Sequence, residues 1–323
     1  MSDPQVNLNA IQEASRRIAG IAYKTPLYFS PALTKLTGAD VHLKLECYQP
    51  IRVFKIRGAA NKITQLPPEE RKHGLVAASS GNHGLAVAYL AKLIGAPATI
   101  VVPTTAVEEK VKAIEEYGAK VVKEGLFHDE RFAKALEIRN STGAVLIPPF
   151  DDADIIAGQG TIGLEIFEDL PEVDAVVVPI GGGGLISGIA TAIKTLKPTA
   201  RVFGVEPERA SSMYHSVKNG KITRLLDTTS IADGLATREP GKLTFDCARR
   251  YVDEILLVSE EEIERAVFTT MKECHIIIEP SAAAAIAAVL EKLHPKREAK
   301  IVVVVSGGNI SLKLLRQILS KYG

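Results

Sequence analysis

Short runs of apolar residues recur along the chain and alternate with stretches of helical periodicity. The runs at 175–179 and 300–305 are apolar at almost every position, which is typical of parallel strands covered by helices on both faces. Further strands are predicted at 41–46, 75–78, 98–102, 120–123, 144–147, 201–205 and 255–258. The pattern of strands therefore favours a parallel sheet.

The stretches between these runs have the spacing of amphipathic helices. Helices are predicted at 86–93, 107–117, 131–139, 260–273 and 281–293. Ser259 and Glu262 have the spacing of a capping box at the start of one of them. Strands that alternate with helices predict an open α/β fold, in which ligands bind beyond the carboxyl ends of the strands.

Composition and charge exclude several classes of function. Of the 323 residues, 46% are hydrophobic, which is enough for a large core, and the length suits two domains or one large domain. The 39 Lys and Arg residues nearly balance the 38 Asp and Glu residues, so no strong field exists to attract nucleic acid or a membrane surface. The N-terminus lacks the apolar core of a signal peptide, and every apolar run is far shorter than a membrane span. Cys47, Cys247 and Cys274 are isolated, so we expect a reduced, cytoplasmic protein.

Three of the predicted strands end in turns of small residues, and each turn leads into a helix. Strand 75–78 continues into Ser-Ser-Gly-Asn-His-Gly, and strand 300–305 continues into Ser-Gly-Gly-Asn. Strand 175–179 is followed by one isoleucine and then by four consecutive glycines at 181–184. Because ligands of open α/β sheets bind at strand ends, these turns are the candidate functional site.

The four glycines predict a binding site for an anion. Without side chains, successive backbone N–H groups can approach one anion, and the following helix dipole adds to the attraction. A phosphate is the natural ligand, although a tight turn between strand and helix is the plain alternative. The run is neither a Walker loop nor a dinucleotide fingerprint, because the spacing and the accompanying residues of those motifs are absent.

Lys55 lies near the predicted start of a helix that follows Gln49-Pro50. Most lysines are ordinary solvated charges, and nothing about Lys55 in isolation excludes that reading. Beside a phosphate-bound aldehyde, however, a lysine with a lowered pKa can form a Schiff base. The conjunction of Lys55 with the three turns favours the second interpretation.

Four motifs of the chain occur in an order and spacing that resemble one enzyme family. They are Phe54-Lys55-Ile56-Arg57-Gly58-Ala59, Ser79-Ser80-Gly81-Asn82-His83, Gly181–Leu185 and Ser306-Gly307-Gly308-Asn309. Together they resemble the fold-type II enzymes that use pyridoxal 5′-phosphate (PLP), namely threonine and serine dehydratases and serine racemase. The resemblance extends from about residue 18 to the C-terminus.

The resemblance implies an architecture like that of the tryptophan synthase β-subunit. We expect two open, twisted, mostly parallel sheets with flanking helices. Residues 1–66 and 152–323 are expected to form a large PLP-binding domain, and residues 67–151 a small domain. The same resemblance implies a homodimer or homotetramer.

The resemblance also implies a role for each motif residue. Lys55 is implied to carry PLP, Phe54 to pack on the pyridine ring, Asn82 to bond the 3′-oxygen and Ser306 to face the pyridine nitrogen. The phosphate is implied to lie in the turn formed by Gly181, Gly182, Gly183, Gly184 and Leu185. The carboxylate of a small amino-acid substrate is implied to bind Ser79, Ser80, Gly81, Asn82 and His83.

A serine at the pyridine nitrogen favours elimination. Unlike an aspartate, the Ser306 hydroxyl cannot hold that nitrogen protonated by opposite charge, so loss of a β-leaving group is preferred to transamination. The predicted activity is the dehydration and deamination of L-threonine or L-serine to a 2-oxo acid and ammonia. Lys55 is the predicted base that removes the α-proton.

Other activities stay open. Ser80 stands where racemases of this family place a second acid or base, so serine racemisation is the alternative or an additional activity, unless Ser80 is only a turn residue. Threonine synthase and cysteine synthase are further alternatives within the enzymes. A catalytically silent small-molecule-binding module on the same fold is the alternative from another class.

A divalent cation is a further expectation that comes from the racemase-like relatives. In those relatives a glutamate, a backbone carbonyl and an acid bind Mg²⁺ or Ca²⁺. The matching positions are Glu206, Ala210 and Ser212, and Ser212 lacks the charge of the acid that it replaces. A strand-end carboxylate without a metal is the alternative.

Overall fold

The computed structural model describes residues 6–79, 81–106, 108–126 and 128–323, without the side chain of His128. The strands within these ranges are β1 Leu27–Phe29, β2 Asp40–Leu45, β3 Leu75–Ala78, β4 Ala98–Val102, β5 Lys120–Lys123, β6 Val145–Leu146, β7 Ala175–Pro179, β8 Arg201–Pro207, β9 Glu254–Val258 and β10 Lys300–Val305. The α-helices are α1 Leu8–Ile18, α2 Pro31–Thr37, α3 Lys55–Thr64, α4 Pro68–Lys72, α5 Asn82–Ile94, α6 Glu108–Glu116, α7 His128–Thr142, α8 Ala153–Asp169, α9 Gly184–Leu196, α10 Ser212–Asn219, α11 Lys242–Tyr251, α12 Glu260–Cys274, α13 Pro280–Glu291 and α14 Leu312–Tyr322.

The strands form two sheets. The larger sheet has the order β1-β2-β10-β7-β8-β9, and its neighbouring strands are parallel except for β1 and β2. The smaller sheet has the order β5-β4-β3-β6 and is parallel throughout. The predicted α/β class with two mostly parallel sheets and flanking helices is confirmed.

Helices cover both faces of the larger sheet. Val302 and Val304 pack in the same core as residues of α8 and α9, whereas Val303 and Val305 pack with residues of α12 and α13. All four valines are fully buried. This arrangement explains why the run at 300–305 is apolar at successive positions. In the described ranges, no helix combines the length and the apolar character that crossing a bilayer requires.

Several predicted boundaries agree with the structure. Strands β3, β4, β5, β7 and β10 begin and end at the predicted residues. The predicted capping box is present, because Ser259 Oγ accepts from the Glu262 N–H while Glu262 Oε2 accepts from the Ser259 N–H. Strand β1 was not predicted. It has three residues, and two of its side chains, Tyr28 and Phe29, are exposed, so it has no buried pattern that the sequence could reveal.

A helix of the predicted large domain packs in the core of the smaller sheet. All strands of the smaller sheet lie between residues 75 and 146. Nevertheless Ile56 and Ile63 of α3 belong to the same core as Leu75 and Ile100 of the smaller sheet. The division into 1–66 with 152–323 and 67–151 therefore stays a prediction.

Candidate active site

A cavity lies at the carboxyl ends of β7 and β10. Strand ends of open α/β sheets are where ligands bind. All nine residues that were predicted to bind a cofactor line it, namely Phe54, Lys55, Asn82, Gly181, Gly182, Gly183, Gly184, Leu185 and Ser306. Phe150, Pro179, Gly234, Leu235, Glu279 and Ser281 complete the lining. The fold therefore brings the three turns and the lysine to one place.

Lys55 is the first residue of α3 and projects into this cavity. Its Nζ donates a 2.7 Å hydrogen bond to the carbonyl of Pro149. Burial lowers the pKa of the Lys55 ammonium to about 8, against the field of the Glu279 carboxylate, which raises it. A lysine with a pKa near 8 is partly neutral at physiological pH, and a neutral amine is the form that attacks an aldehyde or accepts a proton.

Phe54 and Ser306 are held together by the backbone. The Phe54 N–H donates to the Ser306 carbonyl over 3.0 Å, and Val53 forms an isolated antiparallel bridge with Gly307. Ser306 follows the last residue of β10 and is 2% exposed. The end of β10 therefore fixes the chain immediately before Lys55.

The amide of Asn82 is oriented by two neighbours. Its Nδ2 donates to Oε1 and Oε2 of Glu279 over 2.8 and 3.0 Å, and its Oδ1 accepts from Asn309 Nδ2 over 2.9 Å. Asn309 Nδ2 also donates to the carbonyl of Ile51. Because Asn309 donates to its oxygen, Asn82 directs its N–H₂ group towards the Glu279 carboxylate, as a hydrogen-bond donor.

Glu279 is a carboxylate of the site to which the sequence assigned no role. It is 5% exposed, and burial raises the pKa of its carboxyl to about 7, although the bond from Asn82 lowers it. Glu279 is the N-cap residue of α13, yet its side chain does not cap that helix. One sequence signal existed: a glutamate at an N-cap position directly after the apolar run 276–278.

The glycine turn forms an anion-binding cradle at the start of α9. Gly183 is the N-cap residue of α9, with a φ of 93° that favours glycine, and no side chain caps this helix terminus. A Cβ on Gly182 would lie 2.3 Å from the Phe150 ring, and a Cβ on Gly181 would lie 2.8 Å from the carbonyl of Gly234. Side chains would thus fill the turn, whereas uncapped N–H groups suit a phosphate. The residues present fit PLP.

The predicted substrate loop is only partly available to a ligand. Ser79 Oγ accepts from the Gly81 N–H over 3.1 Å, which shapes the loop before α5. His83 is buried, and its Nε2 donates to the carbonyl of Ile147 over 2.8 Å. The imidazole of His83 therefore has a structural partner, and only its backbone remains for the predicted role. Ser80 lies outside the described residues.

The predicted cation site at Glu206, Ala210 and Ser212 is not supported by the structure. Both oxygens of Glu206 accept backbone N–H groups at the start of α10, from Met213 over 2.9 Å and from Tyr214 over 2.8 Å. Within the described ranges, no group of three or more His, Cys, Asp or Glu side chains could hold a metal ion. The carboxylate is a helix cap, which satisfies N–H groups that would otherwise lack partners.

A half-buried lysine of lowered pKa, in one cavity with an uncapped helix terminus of an open α/β fold, is suited to enzymes that bind a phosphate-bearing aldehyde. Comparison with known proteins agrees with this class. Residues 18–307 match the family described as pyridoxal-phosphate dependent enzymes, and the chain belongs to this family.

Individual relatives are similar over most of the chain. The L-threonine ammonia-lyase of Thermotoga maritima is 46% identical over 98% of this chain and 79% of its own length. The catabolic L-threonine dehydratase TdcB of Escherichia coli is 43% identical over 98% of this chain and 97% of its own length. The solved structure of maize serine racemase superimposes with a TM-score of 0.93, at 38% identity and with 98% of each chain covered.

Proposed function

We propose that the chain is a PLP-dependent L-threonine ammonia-lyase, which converts L-threonine, and also L-serine, into a 2-oxo acid and ammonia. The observation that carries this proposal is the position of Lys55, whose pKa is lowered by burial, in one cavity with the uncapped glycine turn. The identities of 46% and 43% to two enzymes that act on L-threonine support the choice of substrate.

In this proposal, PLP when bound supplies an acceptor for the electrons released at the substrate α-carbon. Lys55 Nζ removes the α-proton and holds it, because burial favours the neutral amine that can accept a proton. Asn82 would offer its N–H₂ group to the ring oxygen, and Phe54 would pack against the ring. Ser306 would offer an uncharged hydroxyl to the pyridine nitrogen, which would not stabilise a proton there by charge.

The substrate carboxylate is assigned to the loop 79–83 at the start of α5. A helix N-terminus attracts an anion, and no side-chain hydrogen bond caps α5. A cytoplasmic location and a homodimer or homotetramer remain part of the proposal, and a divalent cation does not.

Incubation of the enzyme with single amino acids tests the proposed reaction. We expect L-threonine to yield 2-oxobutanoate and ammonia in equal amounts, and L-serine to yield pyruvate and ammonia. Chromatography of the 2-oxo acids, with an enzymatic ammonia assay, measures both products. If neither product forms although PLP is bound, the lyase assignment is wrong, and a silent binding module or a synthase of the same fold replaces it.

The pH dependence of PLP attachment tests the lowered pKa of Lys55. Only the neutral amine reacts, so attachment to the cofactor-free enzyme should accelerate about tenfold per pH unit below 8 and become constant above it. Glu279→Gln removes the carboxylate that raises this pKa, so the midpoint should move below 8. Stopped-flow absorbance of the bound cofactor gives both profiles. A midpoint near 10 in the wild type would contradict the burial argument.

Racemisation is a second candidate because of the similarity to maize serine racemase. It requires a second base opposite Lys55, and the sequence offers Ser80. We expect the wild type to form some D-serine from L-serine more slowly than pyruvate. Ser80→Ala should abolish D-serine formation and largely spare the elimination of L-threonine. Chiral chromatography measures this, and D-serine from the Ser80→Ala variant would rule out the role of Ser80.

A further inference from the structure

Arg57 lies two residues after Lys55 on α3 and is 1% exposed. Residues two apart on a helix point about 200° away from each other, so the two side chains leave α3 on nearly opposite sides. Lys55 lines the cavity, whereas Arg57 reaches into the protein behind it. The proposed reaction gives Arg57 no role.

The guanidinium of Arg57 joins the buried carboxylate of Glu46 to the partly buried carboxylate of Glu165. Its Nε and Nη2 each donate to Glu46 over 2.8 Å, and its Nη1 and Nη2 donate to Glu165 over 2.6 and 2.9 Å. Nη1 also donates to Thr161 Oγ1, and Nη2 to the carbonyl of Tyr23. All three nitrogens of the guanidinium donate hydrogen bonds here. The single ammonium group of a lysine cannot reproduce this planar arrangement of donors.

The charges of this cluster balance. Lys44 Nζ lies 2.6 Å from Glu165 Oε2, so two cations face two carboxylates. Burial would raise the pKa of the Glu46 carboxyl, but the Arg57 guanidinium outweighs it and the pKa is lowered. Glu46 therefore stays ionised, and its partner Arg57 is held firmly.

The bonds of Arg57 connect α3 to α8, since Thr161 and Glu165 both belong to α8. Helix α3 lies directly on α8: a Cβ on Gly158 would come within 2.6 Å of the Arg57 carbonyl and the Gly58 Cα. No side chain caps the start of α3. Its first turn is held on α8 by the bonds of Arg57 to Thr161 and Glu165, together with the bond from the Gly58 N–H to Gln159 Oε1.

Helix α8 in turn contacts α9, whose first turn is the glycine cradle. A Cβ on Gly188 of α9 would lie 2.3 Å from the carbonyl of Ile156 and 2.4 Å from the N of Gly160. Backbone-to-backbone packing this close leaves no room for a side chain between the two helices, and it fixes their register against each other. Helix α8 thus forms a continuous connection from α3, which carries Lys55, to the glycine turn at the start of α9.

We propose that Arg57 is a positioning residue for Lys55: by joining Glu46 and Glu165 it holds the start of α3 on α8, at a fixed separation from the glycine turn. The inference rests on the proposed function, in which Lys55 and that turn bind the two ends of PLP. Simultaneous binding at both ends requires the correct separation, because a ligand bound at one end gains from the second contact only when the geometry allows both.

Two probe aldehydes distinguish a change in the separation between Lys55 and the glycine turn from a general loss of stability of the protein. PLP carries both the aldehyde and the phosphate, whereas pyridoxal carries the same aldehyde without a phosphate. Capture by Lys55 is condensation of the amine with the aldehyde, with loss of one water, and borohydride then reduces the C=N bond. Mass mapping of the Lys55 peptide of the full-length, cofactor-free chain gives the two capture rates. The wild type should capture PLP faster than pyridoxal.

Arg57→Lys keeps the positive charge in the cluster but removes the planar guanidinium that bonds both Glu46 and Glu165. We expect the ratio of PLP to pyridoxal capture to fall by about tenfold or more, since a misplacement of about 1 Å can cost about 100-fold. Capture of pyridoxal itself should change by less than about twofold, because it does not need the glycine turn. A folded Arg57→Lys chain with the wild-type ratio would overturn the proposal.

Lys44→Met is the matched control. It removes the other buried cation of the same cluster, but Lys44 belongs to β2 and does not hold α3. Its stability should fall while the capture ratio stays at the wild-type value, and an equal fall of the ratio would overturn the proposal. Should Arg57→Lys not fold, Glu165→Gln weakens the same bonds from α8 and must lower the ratio. If the wild type captures both probes equally, the proposed placement of the cofactor fails instead.

Discussion

Replacement of Lys55 by arginine will leave a folded chain that cannot attach PLP or turn over L-threonine. Arginine keeps the cationic charge and most of the length of lysine, but its guanidinium does not lose its proton in proteins and cannot act as a nucleophile or a base. The loss of a general base alone costs about 10²–10⁴-fold, so the rate of 2-oxobutanoate formation should fall by about 10³-fold or more. Borohydride trapping followed by peptide mass mapping should find no labelled lysine.

Lys62 is a suitable control because it lies on the same helix as Lys55. Its Nζ pairs with Asp152 and Asp154 over 2.9 and 3.0 Å and does not line the cavity. Lys62→Arg should retain both PLP attachment and activity. Persistent labelling of another lysine in Lys55→Arg, together with residual turnover, would place the cofactor elsewhere.

The sequence predicted residues that line the cavity where these residues lie in turns at strand ends. Ser306 follows β10 directly, and Gly181–Gly184 follow β7 after one isoleucine. The bounds of both strands were predicted correctly, so the parallel topology brings these turns together. Lys55 was placed near them by resemblance, because nothing in its local sequence reveals that α3 begins inside the cavity.

Residues whose role depends on long-range packing were missed or misjudged. Phe150 lines the cavity because the segment between β6 and α8 passes over Gly182, which no local pattern encodes. Glu279 reaches Asn82 across 197 positions of sequence. Glu206 was predicted as a metal ligand because its strand-end position fits that role equally well, and only the direction of α10 shows that its oxygens face backbone N–H groups. Contacts between residues that are far apart in the sequence were therefore the part of the site that the sequence alone could not predict.

Two substitutions of Gly182 are expected to weaken PLP binding strongly, and comparing them distinguishes the effect of side-chain size from the effect of side-chain charge. Any side chain at this position meets the ring of Phe150, so both Gly182→Asn and Gly182→Asp should bind PLP weakly. Asparagine and aspartate have nearly the same shape, and the clash cancels when the two variants are compared. The remaining difference comes from the negative charge beside the uncapped start of α9.

That charge should act on stability and on binding in opposite directions. A carboxylate at a helix N-terminus is favourable by up to about 2 kcal/mol, so cofactor-free Gly182→Asp should unfold at a higher temperature than cofactor-free Gly182→Asn. The same carboxylate occupies and repels the place of the phosphate, so PLP should bind Gly182→Asp about tenfold more weakly than Gly182→Asn. Thermal unfolding and PLP titration measure the two quantities. If both variants bind PLP with equal affinity, the phosphate does not lie in the glycine turn, whatever their stabilities.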